Sequence, residues 1–494
     1  MARIRSAGPA LVLGAVLLVA NVPRLLAGAL FAKPGRAYTG EVWDAFDLPQ
    51  YVEAIHEGAA GRWLYEGRLW GGSGSAGYFF QQPYLLAGHL AGGLGAGSLQ
   101  TLEAFRWVAQ LIAVAGALLL IRRAVVPELR AWALFFGGIA GGLGFLFLST
   151  PATPLGPVAP MDVATPSFNL VAAFLGAPHL ALMAGCVALF AWGFLAVAAG
   201  DRRGLAGLLA LVVALNVHPF ELVAIVVSAC ATALLLARSR LVLAYVSAAT
   251  LLGGAELLYI VVTARSDSVF GAMSLTSLTT EVGNLPSFLA SRAVVLPLAT
   301  AAALSLRRRR DPTVLFLAGW AALSVLLNVA AIDPAGPLHR SLEGSSLAWG
   351  ALASLALPGR PAWRALLLGT CLISPLVQAG GVFYAAGGSP DSWVSTDLLS
   401  VARQASANDL RGCVTGGLRD SRWLAAESEL CLVPDNEAAL AALESAPPAD
   451  RAGVLDRYGA RYAVLRSGPD ASGLDPVLKS GDVVLVAGTA GANP

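Results

Sequence analysis

A short acidic and aromatic segment, residues 41–51, offers the side chains best suited to chemistry in this chain. It contains the carboxylates Glu41, Asp44 and Asp47, and Tyr51 follows four residues after the last of them. Carboxylates held at a membrane boundary can act as a general base toward a hydroxyl group or as ligands of a hard cation. For any single member, a solvated acidic loop is the alternative. As a group they favour function, because ionisable side chains next to lipid are costly.

Three further positions outside this segment are candidates. Asp162 is a lone acid among prolines and small residues, where the backbone is rigid enough to place one carboxylate. A turn or helix-cap role for Asp162 is equally consistent with the pattern. His179 follows Pro178 at the predicted start of the next helix. His218 precedes a proline at a predicted turn between two helices, where a tight hairpin explains the residue at least as well as catalysis does.

Three arginines lie near the predicted outer ends of helices, away from the other arginines. A guanidinium near the outer head-group plane can bind a phosphate through two parallel hydrogen bonds. The alternative is that each side chain extends to ordinary lipid phosphates. For Arg340, which is flanked by His339 and Glu343, a phosphate-binding role is favoured. For Arg106 and Arg292 neither explanation is favoured.

The composition indicates that these residues belong to a membrane protein. Of 494 residues, 56% are hydrophobic and 13% are charged, and the mean hydropathy is +0.67. Soluble chains carry about 25% charged residues, so the sequence predicts an integral membrane protein. Basic runs with interleaved aromatic residues are absent from the sequence, which argues against nucleic-acid binding. The apolar residues 8–31 are long enough to span and are interpreted as an uncleaved first helix.

Hydropathy and arginine placement predict an all-α polytopic fold of about eleven transmembrane helices. Arginine-rich short loops alternate with arginine-poor ones, which puts the N-terminus in the cytoplasm and the C-terminus outside the inner membrane. Residues 83–97 are too short and too glycine-rich for a span and are interpreted as a juxtamembrane or re-entrant helix. After Pro49, the helical spacing of Tyr51, Ile55 and Ala59 predicts an amphipathic helix on the membrane surface.

The composition changes abruptly near residue 387. We therefore expect a transmembrane domain over residues 1–386, with its first external loop at 32–83, and an extracytoplasmic C-terminal α/β domain over residues 387–494. The sequence pattern predicts a helix at residues 437–444 and two short strands at residues 461–466 and 482–486. Cys413 and Cys431 lie in this tail, where an oxidising compartment permits a disulfide between them; two free thiols are the alternative.

The layout resembles the GT-C superfamily of membrane glycosyltransferases over roughly residues 1–385. Such enzymes are multi-spanning and use polyprenyl-phosphate-linked sugars on the external face. The matching features are a first span and acidic loop with Asp47 and Tyr51, a Gly61-Arg62-Trp63 element, Gln82-Pro83-Tyr84-Leu85, Gly95-Ala96-Gly97-Ser98 before Arg106, the Asp162 loop before Pro178-His179, the His218-Pro219 turn, and the late Arg340 loop.

The resemblance implies roles for these residues. Asp47 resembles the first-loop catalytic or metal-binding acid, Asp162 the second-loop acid, and Arg340 a ligand of the lipid-linked phosphate. Arg106 and His339 are additional candidates for binding that phosphate. The sequence lacks an Asp-x-Asp or Asp-Glu pair around Asp162, which weakens the case for a divalent cation. Mg²⁺ or Mn²⁺ therefore stays an optional cofactor.

The leading hypothesis is inverting transfer of a sugar from a polyprenyl phosphate to a lipid or glycan acceptor outside the membrane. Asp47 would be the base, and Glu41, Asp44 and Asp162 would bind or orient the acceptor or a metal. The alternative is a polytopic transporter or lipid flippase, for which Glu256 within a predicted span is the main support. A scaffold that presents the C-terminal tail is a third possibility.

Overall fold

The structure is a computed structural model of the chain. The chain forms two compact units. The helical unit comprises Met1–Ala27, Arg106–Val261 and Ser277–Ala385, and the sheet unit comprises Gly28–Phe105, Val262–Thr276 and Ala386–Pro494. The structure describes residues 2–41, 47–70, 77–147, 162, 168–217, 219, 222–236, 239–271, 285–305, 311–330, 344–389, 392–467, 471–472 and 474–487.

Long apolar helices dominate the helical unit, and several are interrupted or tightly packed at glycines. In chain order the helices that contribute to it are α1 (Ala2–Leu30), α4 (Ser98–Ala124), α5 (Arg130–Gly138), α6 (Leu170–Leu175), α7 (Pro178–Ala198), α8 (Gly207–Leu215), α9 (Leu222–Leu235), α10 (Arg240–Ser266), α11 (Leu285–Ser291), α12 (Val295–Leu304), α13 (Pro312–Ala330), α14 (Ser346–Leu355) and α15 (Pro361–Gly388).

Five helices of the described residues are long and apolar enough to cross a membrane. They are α1, α4, α7, α10 and α15, and four shorter apolar helices accompany them. At about 1.5 Å per residue, the 27 residues of α4 give roughly 40 Å, more than the hydrocarbon core requires. The protein is therefore a polytopic membrane protein. The prediction of eleven spans is not confirmed, because the described residues contain five helices of sufficient length.

Glycines let helices of this unit approach closely, as is common where membrane helices pack. A Cβ added to Gly350 of α14 would lie 2.4 Å from the backbone nitrogen of Gly137 in α5. A Cβ added to Gly185 of α7 would lie 2.7 Å from the backbone nitrogen of Ala113 in α4. Both positions exclude any larger residue unless the helices separate.

The sheet unit combines the first loop of the chain with its C-terminal residues. Besides the ends of neighbouring long helices, its elements are β1 (Arg36–Tyr38), α2 (Leu48–Ala59), α3 (Gln82–Leu94), β2 (Trp393–Ser395), α16 (Thr396–Ala407), β3 (Gly412–Gly416), α17 (Leu418–Ala426), β4 (Leu430–Leu432), α18 (Asn436–Ser445), α19 (Arg451–Arg457), β5 (Ala460–Arg466), β6 (Asp475–Ser480) and β7 (Val483–Ala487).

Five strands form one mixed sheet in the order β4-β3-β5-β7-β6. Strands β4, β3 and β5 are parallel, with helical crossovers between them, and β7 is antiparallel to both β5 and β6. A separate two-stranded pairing joins β1 to β2 antiparallel, with Tyr38 opposite Trp393. The first loop is thus tied by backbone hydrogen bonds to residues far along the chain.

The C-terminal predictions are largely confirmed. The expected helix at 437–444 lies within α18, and the two expected strands correspond to β5 and β7. Strands β3, β4 and β6 were not predicted: β4 has only three residues, β3 begins and ends with glycine, and β6 contains a proline and is largely exposed. Cys413 and Cys431 form a disulfide, as expected, and they lie directly opposite each other on neighbouring parallel strands.

Candidate active site

Asp47 lies at the N-terminal boundary of α2, and Pro49 in the first turn favours a helix start at this point. Its side chain is half-buried and does not cap the helix. A carboxylate in this position is stabilised by the partial positive charge of the helix N-terminus. Asp47 is therefore a partly exposed carboxylate at the start of α2, and its role as a base stays a prediction.

The other residues of the acidic segment differ in their surroundings. Glu41 is fully buried, and Asp44 lies outside the described residues. Tyr51 is almost fully buried. Its ring stacks on that of Tyr84 at 5.0 Å between centroids, which fixes the first turn of α2 against α3.

Helices α2 and α3 cross with their backbones in contact. A Cβ added to Gly58 would lie 2.1 Å from the carbonyl oxygen of Leu85, and one added to Gly88 would lie 2.1 Å from the carbonyl oxygen of Ile55. Almost every residue of α2 is buried. The expected helix is thus confirmed as α2. It is buried by other parts of the protein, with α17 of the C-terminal region packed on it, and its position at the membrane surface stays a prediction.

Two buried acids of α2 bind one arginine. Arg68 Nε lies 3.2 Å from Glu57 Oε1 and 3.6 Å from Glu53 Oε1. The Tyr65 hydroxyl donates to Glu53 Oε2 at 2.5 Å, and the Leu69 amide donates to Glu53 Oε1 at 3.2 Å. We call Glu53, Glu57, Tyr65 and Arg68 the buried ion cluster.

The same arginine extends the ion cluster to the C-terminal region. Arg68 Nη1 lies 3.3 Å from Glu429 Oε2, just before β4, and it also donates to the Ser428 carbonyl oxygen. Arg62 pairs with Glu429 as well, and His56 Nε2 lies 3.5 Å from Glu429 Oε1. These bonds join the helix that begins at Asp47 to the edge of the sheet.

Electrostatics distinguish the cluster acids from a solvated carboxylate. The pKa of Glu57 is raised to about 8, mainly by burial and next by the charge of Glu53, while Arg68 opposes this rise. Burial likewise raises the pKa of Glu53. The hydrogen bond with His56, followed by that with Arg62, lowers the pKa of Glu429. The cluster acids are thus engaged in contacts that hold the first loop to the C-terminal region.

Asp162 lies in the helical unit and is fully buried. Its Oδ2 accepts hydrogen bonds from the Gly142 amide at 2.7 Å and from the Ser374 hydroxyl at 2.6 Å. Its own amide donates to Ser291 Oγ at 3.2 Å. Asp162 thus connects three segments that are distant in sequence, and its role as a second acid of the reaction stays a prediction.

The arginine and histidine candidates have different positions. Arg106 is buried and donates to the Gly176 carbonyl oxygen at 2.6 Å, just past the end of α6. Arg292 is buried and donates to the Phe168 carbonyl oxygen at 2.9 Å. Its guanidinium carbon lies 3.8 Å from the centroid of the Phe168 ring. His179 is buried in the first turn of α7. His218, His339 and Arg340 lie outside the described residues.

Several polar residues were missed by sequence reasoning. Besides the buried ion cluster, Asn21 Nδ2 donates to Gln110 Oε1 at 2.8 Å, and Arg24 donates to Asn21 Oδ1 at 3.2 Å. Glu53 and Glu57 are four residues apart, which places both on one face of a helix, and this spacing was the available signal of the cluster. Their common partner was not recognisable from the sequence.

A divalent cation does not fit the donor groups of the described residues. Among them, no three His, Cys, Asp or Glu side chains lie close enough together to hold a metal ion. Mg²⁺ and Mn²⁺ require several oxygen ligands, whereas Asp162 Oδ2 already accepts two hydrogen bonds from neutral donors. We therefore derive no chemical step through a metal.

Comparison with solved structures identifies the fold of this chain. No family model matches the chain, and no curated protein matches it. ArnT from Cupriavidus metallidurans bound to undecaprenyl phosphate is similar over 97% of this chain and 99% of its own, with 14% identity and a TM-score of 0.51. Its apo structure gives 15% identity over the same shares and a TM-score of 0.52. The fold is that of the GT-C membrane glycosyltransferases.

The arabinofuranosyltransferase AftD from Mycobacteria has the same fold. One of its variant structures is similar at 15% identity, with a TM-score of 0.52, over 97% of this chain. This chain spans 41% of the length of AftD. The expected polytopic, GT-C-like fold is thus confirmed, and the similarity extends over 97% of the chain.

Proposed function

We propose that the protein is a GT-C glycosyltransferase that moves a sugar from a polyprenyl-phosphate donor to an extracytoplasmic lipid or glycan acceptor. The position of Asp47 carries this proposal: it is a half-buried carboxylate at the start of α2, whereas the later acids of the helix are buried in ion pairs. Support for the donor class comes from ArnT, whose structure holds undecaprenyl phosphate. The transporter alternative has no support in these comparisons.

In the proposed reaction, Asp47 removes the proton of an acceptor hydroxyl as its oxygen attacks the anomeric carbon. The bond between that carbon and the phosphate oxygen breaks, so the polyprenyl phosphate leaves with the bonding electrons and the anomeric configuration inverts. A positioned base contributes about 10²–10⁴ in rate. Arg340 and His339, with Arg106, are the proposed ligands of the leaving phosphate, where charge-assisted hydrogen bonds would stabilise the developing charge.

The proposal includes an arrangement in the membrane. We infer about eleven spans within residues 1–386, a cytoplasmic N-terminus, and an extracytoplasmic region from residue 387 onward. The disulfide between Cys413 and Cys431 supports this orientation, because such bonds persist in oxidising compartments. On this arrangement the acidic segment faces the side where a lipid-linked donor presents its sugar.

Asp47→Asn tests the assignment of the base. Purified full-length protein would be assayed against a panel of polyprenyl-phosphate sugars, with a membrane glycolipid fraction as acceptor. We expect transfer to fall at least about 100-fold, since the base is lost while size is kept. Asp409→Asn is the matched control, because Asp409 is exposed and in a left-handed backbone conformation that Asn also adopts. Full activity of Asp47→Asn would remove Asp47 from the mechanism.

A further inference from the structure

Helix α3 carries a stripe of exposed apolar side chains. Leu86, Leu90 and Leu94 are 52%, 65% and 84% exposed. Residues four apart lie on one side of a helix, so these three leucines form a continuous stripe over the last two turns of α3. Single exposed leucines are common on protein surfaces, whereas a continuous apolar stripe marks a contact surface.

An aromatic residue of the first loop extends this stripe. The Trp63 ring is exposed and stacks on His89 of α3, with 3.8 Å between the ring centroids. Gln82 Nε2, in the first turn of α3, donates to the Trp63 carbonyl oxygen at 3.0 Å. Gln82 and His89 both border Leu86 on the helix surface, since they lie four and three residues from it. We call Trp63 and the three leucines the apolar face of α3.

The opposite side of α3 packs against α2. A Cβ added to Gly88 would lie 2.1 Å from the carbonyl oxygen of Ile55, and one added to Gly92 would lie 2.9 Å from that of Ala59. Because these are contacts with backbone atoms, α3 cannot change its depth in a membrane without α2. Helix α2 carries the two acids of the buried ion cluster. Those acids therefore accompany α3 wherever it lies.

The sequence around α3 is unlike a surface that faces water. Residues 69–102 contain no Asp, Glu, Lys or Arg, whereas about 25% of the residues of soluble chains are charged. Strand β6 of the same unit gives the contrast, because its exposed Val477 lies between Asp475 and Lys479. The uncharged surroundings of the apolar face favour lipid as its partner.

The chain also ties α3 to a membrane span. Helix α3 ends at Leu94, and α4, one of the helices long and apolar enough to cross a membrane, begins at Ser98. Four steps of extended chain cover at most about 14 Å. Leu94 therefore lies within that distance of the first residue of a span, which puts the lipid around that span within reach of the apolar face.

We propose that α3 is an interfacial helix, which lies along the membrane surface with its apolar face in contact with lipid acyl chains and with α2 on its other side. Leucines along one face and a tryptophan beside them are typical of helices that bind in the interface. A re-entrant helix, the alternative left open by the sequence, would carry the acids of α2 into the hydrocarbon, where charged groups are costly. On this proposal the membrane holds α3, and α3 sets the distance of α2 from the lipid.

Quenching by brominated lipid tests the position of α3. The full-length chain would carry Leu86→Cys, Leu90→Cys or Leu94→Cys, each labelled with an environment-sensitive fluorophore and reconstituted in vesicles of phosphatidylcholine and phosphatidylglycerol. Cys413 and Cys431 are disulfide-bonded and do not take up the label. The background replaces the three free cysteines with alanine; they are Cys186, Cys230 and Cys371.

Acyl chains brominated at several depths should quench the three labels with the same depth profile, because a helix that lies along the interface keeps one depth. Val477→Cys on β6 is the matched control, since Val477 is also an exposed apolar residue but has charged neighbours. Its label should keep its full emission in every brominated lipid.

Three results would overturn the proposal. A label at position 90 that is quenched no more than the one at position 477 would place the apolar face in water. Quenching that moves steadily deeper from position 86 to position 94 would show a re-entrant helix. Oxidative cross-linking of Leu90→Cys to a second copy of the chain, without quenching, would show that the face is a protein interface.

A second measurement decides the question if the alanine background does not fold. A benzophenone amino acid would replace Leu90 in the chain with its native cysteines, and the products of irradiation in the same vesicles would be identified by mass spectrometry. Adducts with phospholipid acyl chains support the proposal. Adducts with a second copy of the chain, or no adduct at all, would reject it.

Discussion

Asp47, Glu53 and Glu57 show how surroundings give similar carboxylates different roles. All three lie on or beside one short helix, but Glu53 and Glu57 are buried around Arg68, and Asp47 is half-exposed at the helix start. From the sequence, the acids of this loop were recognisable as a group. Their division into reactive and structural members was not, because it depends on Arg68 and Glu429, which the sequence does not place next to α2.

The raised pKa of Glu57 predicts how the stability of the protein depends on pH. Its pKa is raised from 4.5 to about 8 by burial, so the folded protein binds this proton more tightly than the unfolded chain does. Its contribution to stability is fully present below pH 4.5 and is lost as the pH rises through about 8. Glu57→Gln should therefore flatten the decline of Tm across this window.

Thermal unfolding of the solubilised protein at several pH values checks this expectation. Glu437→Gln is the control, because Glu437 is exposed on α18 and should keep the wild-type slope. An equally steep decline in Glu57→Gln and the wild type would mean that Glu57 is already ionised in the folded protein at neutral pH.

At the scale of elements, α2 is held from three directions: by α3 through Gly58 and Gly88, by α17, and by the ion cluster. Helical spacing predicted the existence of α2 but not the burial of its polar side chains. The burial has a physical cause. The polar side of α2 is covered by residues of the C-terminal region, and hydrophobic periodicity does not distinguish a face in water from a face buried in ion pairs.

Arg68→Met tests whether the cluster holds these elements together. Removing the arginine leaves two buried acids and Glu429 without their shared cation, which should lower the free energy of unfolding by about 3–5 kcal/mol. Chemical or thermal denaturation of the full-length protein gives the measurement. Arg411→Met is the control, since Arg411 pairs with Asp409 on the exposed surface and should cause no measurable loss. Equal stability of the two variants would contradict a structural role for the cluster.

At the scale of the whole molecule, the sequence predicted the polytopic membrane fold, the C-terminal strands β5 and β7, and the disulfide. The number of spans was not confirmed, because short apolar helices such as α12 and α14 contribute hydropathy without the length to cross. The pairing of β1 with β2 was also beyond prediction. Three-residue strands carry no usable pattern, and only the folded chain brings them together.

The orientation of the C-terminal region can be measured through its cysteines. If it lies outside the membrane, treatment of intact spheroplasts with a membrane-impermeant reductant and then an impermeant maleimide should label Cys413 and Cys431. Without the reductant both should resist labelling, because they are disulfide-bonded. A cysteine introduced at Arg360, in a predicted cytoplasmic loop, should label only after lysis. Labelling of the cysteine at position 360 in intact spheroplasts, with Cys413 and Cys431 labelled only after lysis, would reverse the proposed orientation.

The pairing of β1 with β2 has a consequence for biogenesis. The ribosome releases β1 early and β2 only after the last membrane helix has been made. Until then, α2 lacks the packing of α17, and Arg68 lacks its contact with Glu429. A nascent chain stalled before residue 390 should therefore insert into the membrane with its first loop open to protease, and protection should arise only when the tail emerges.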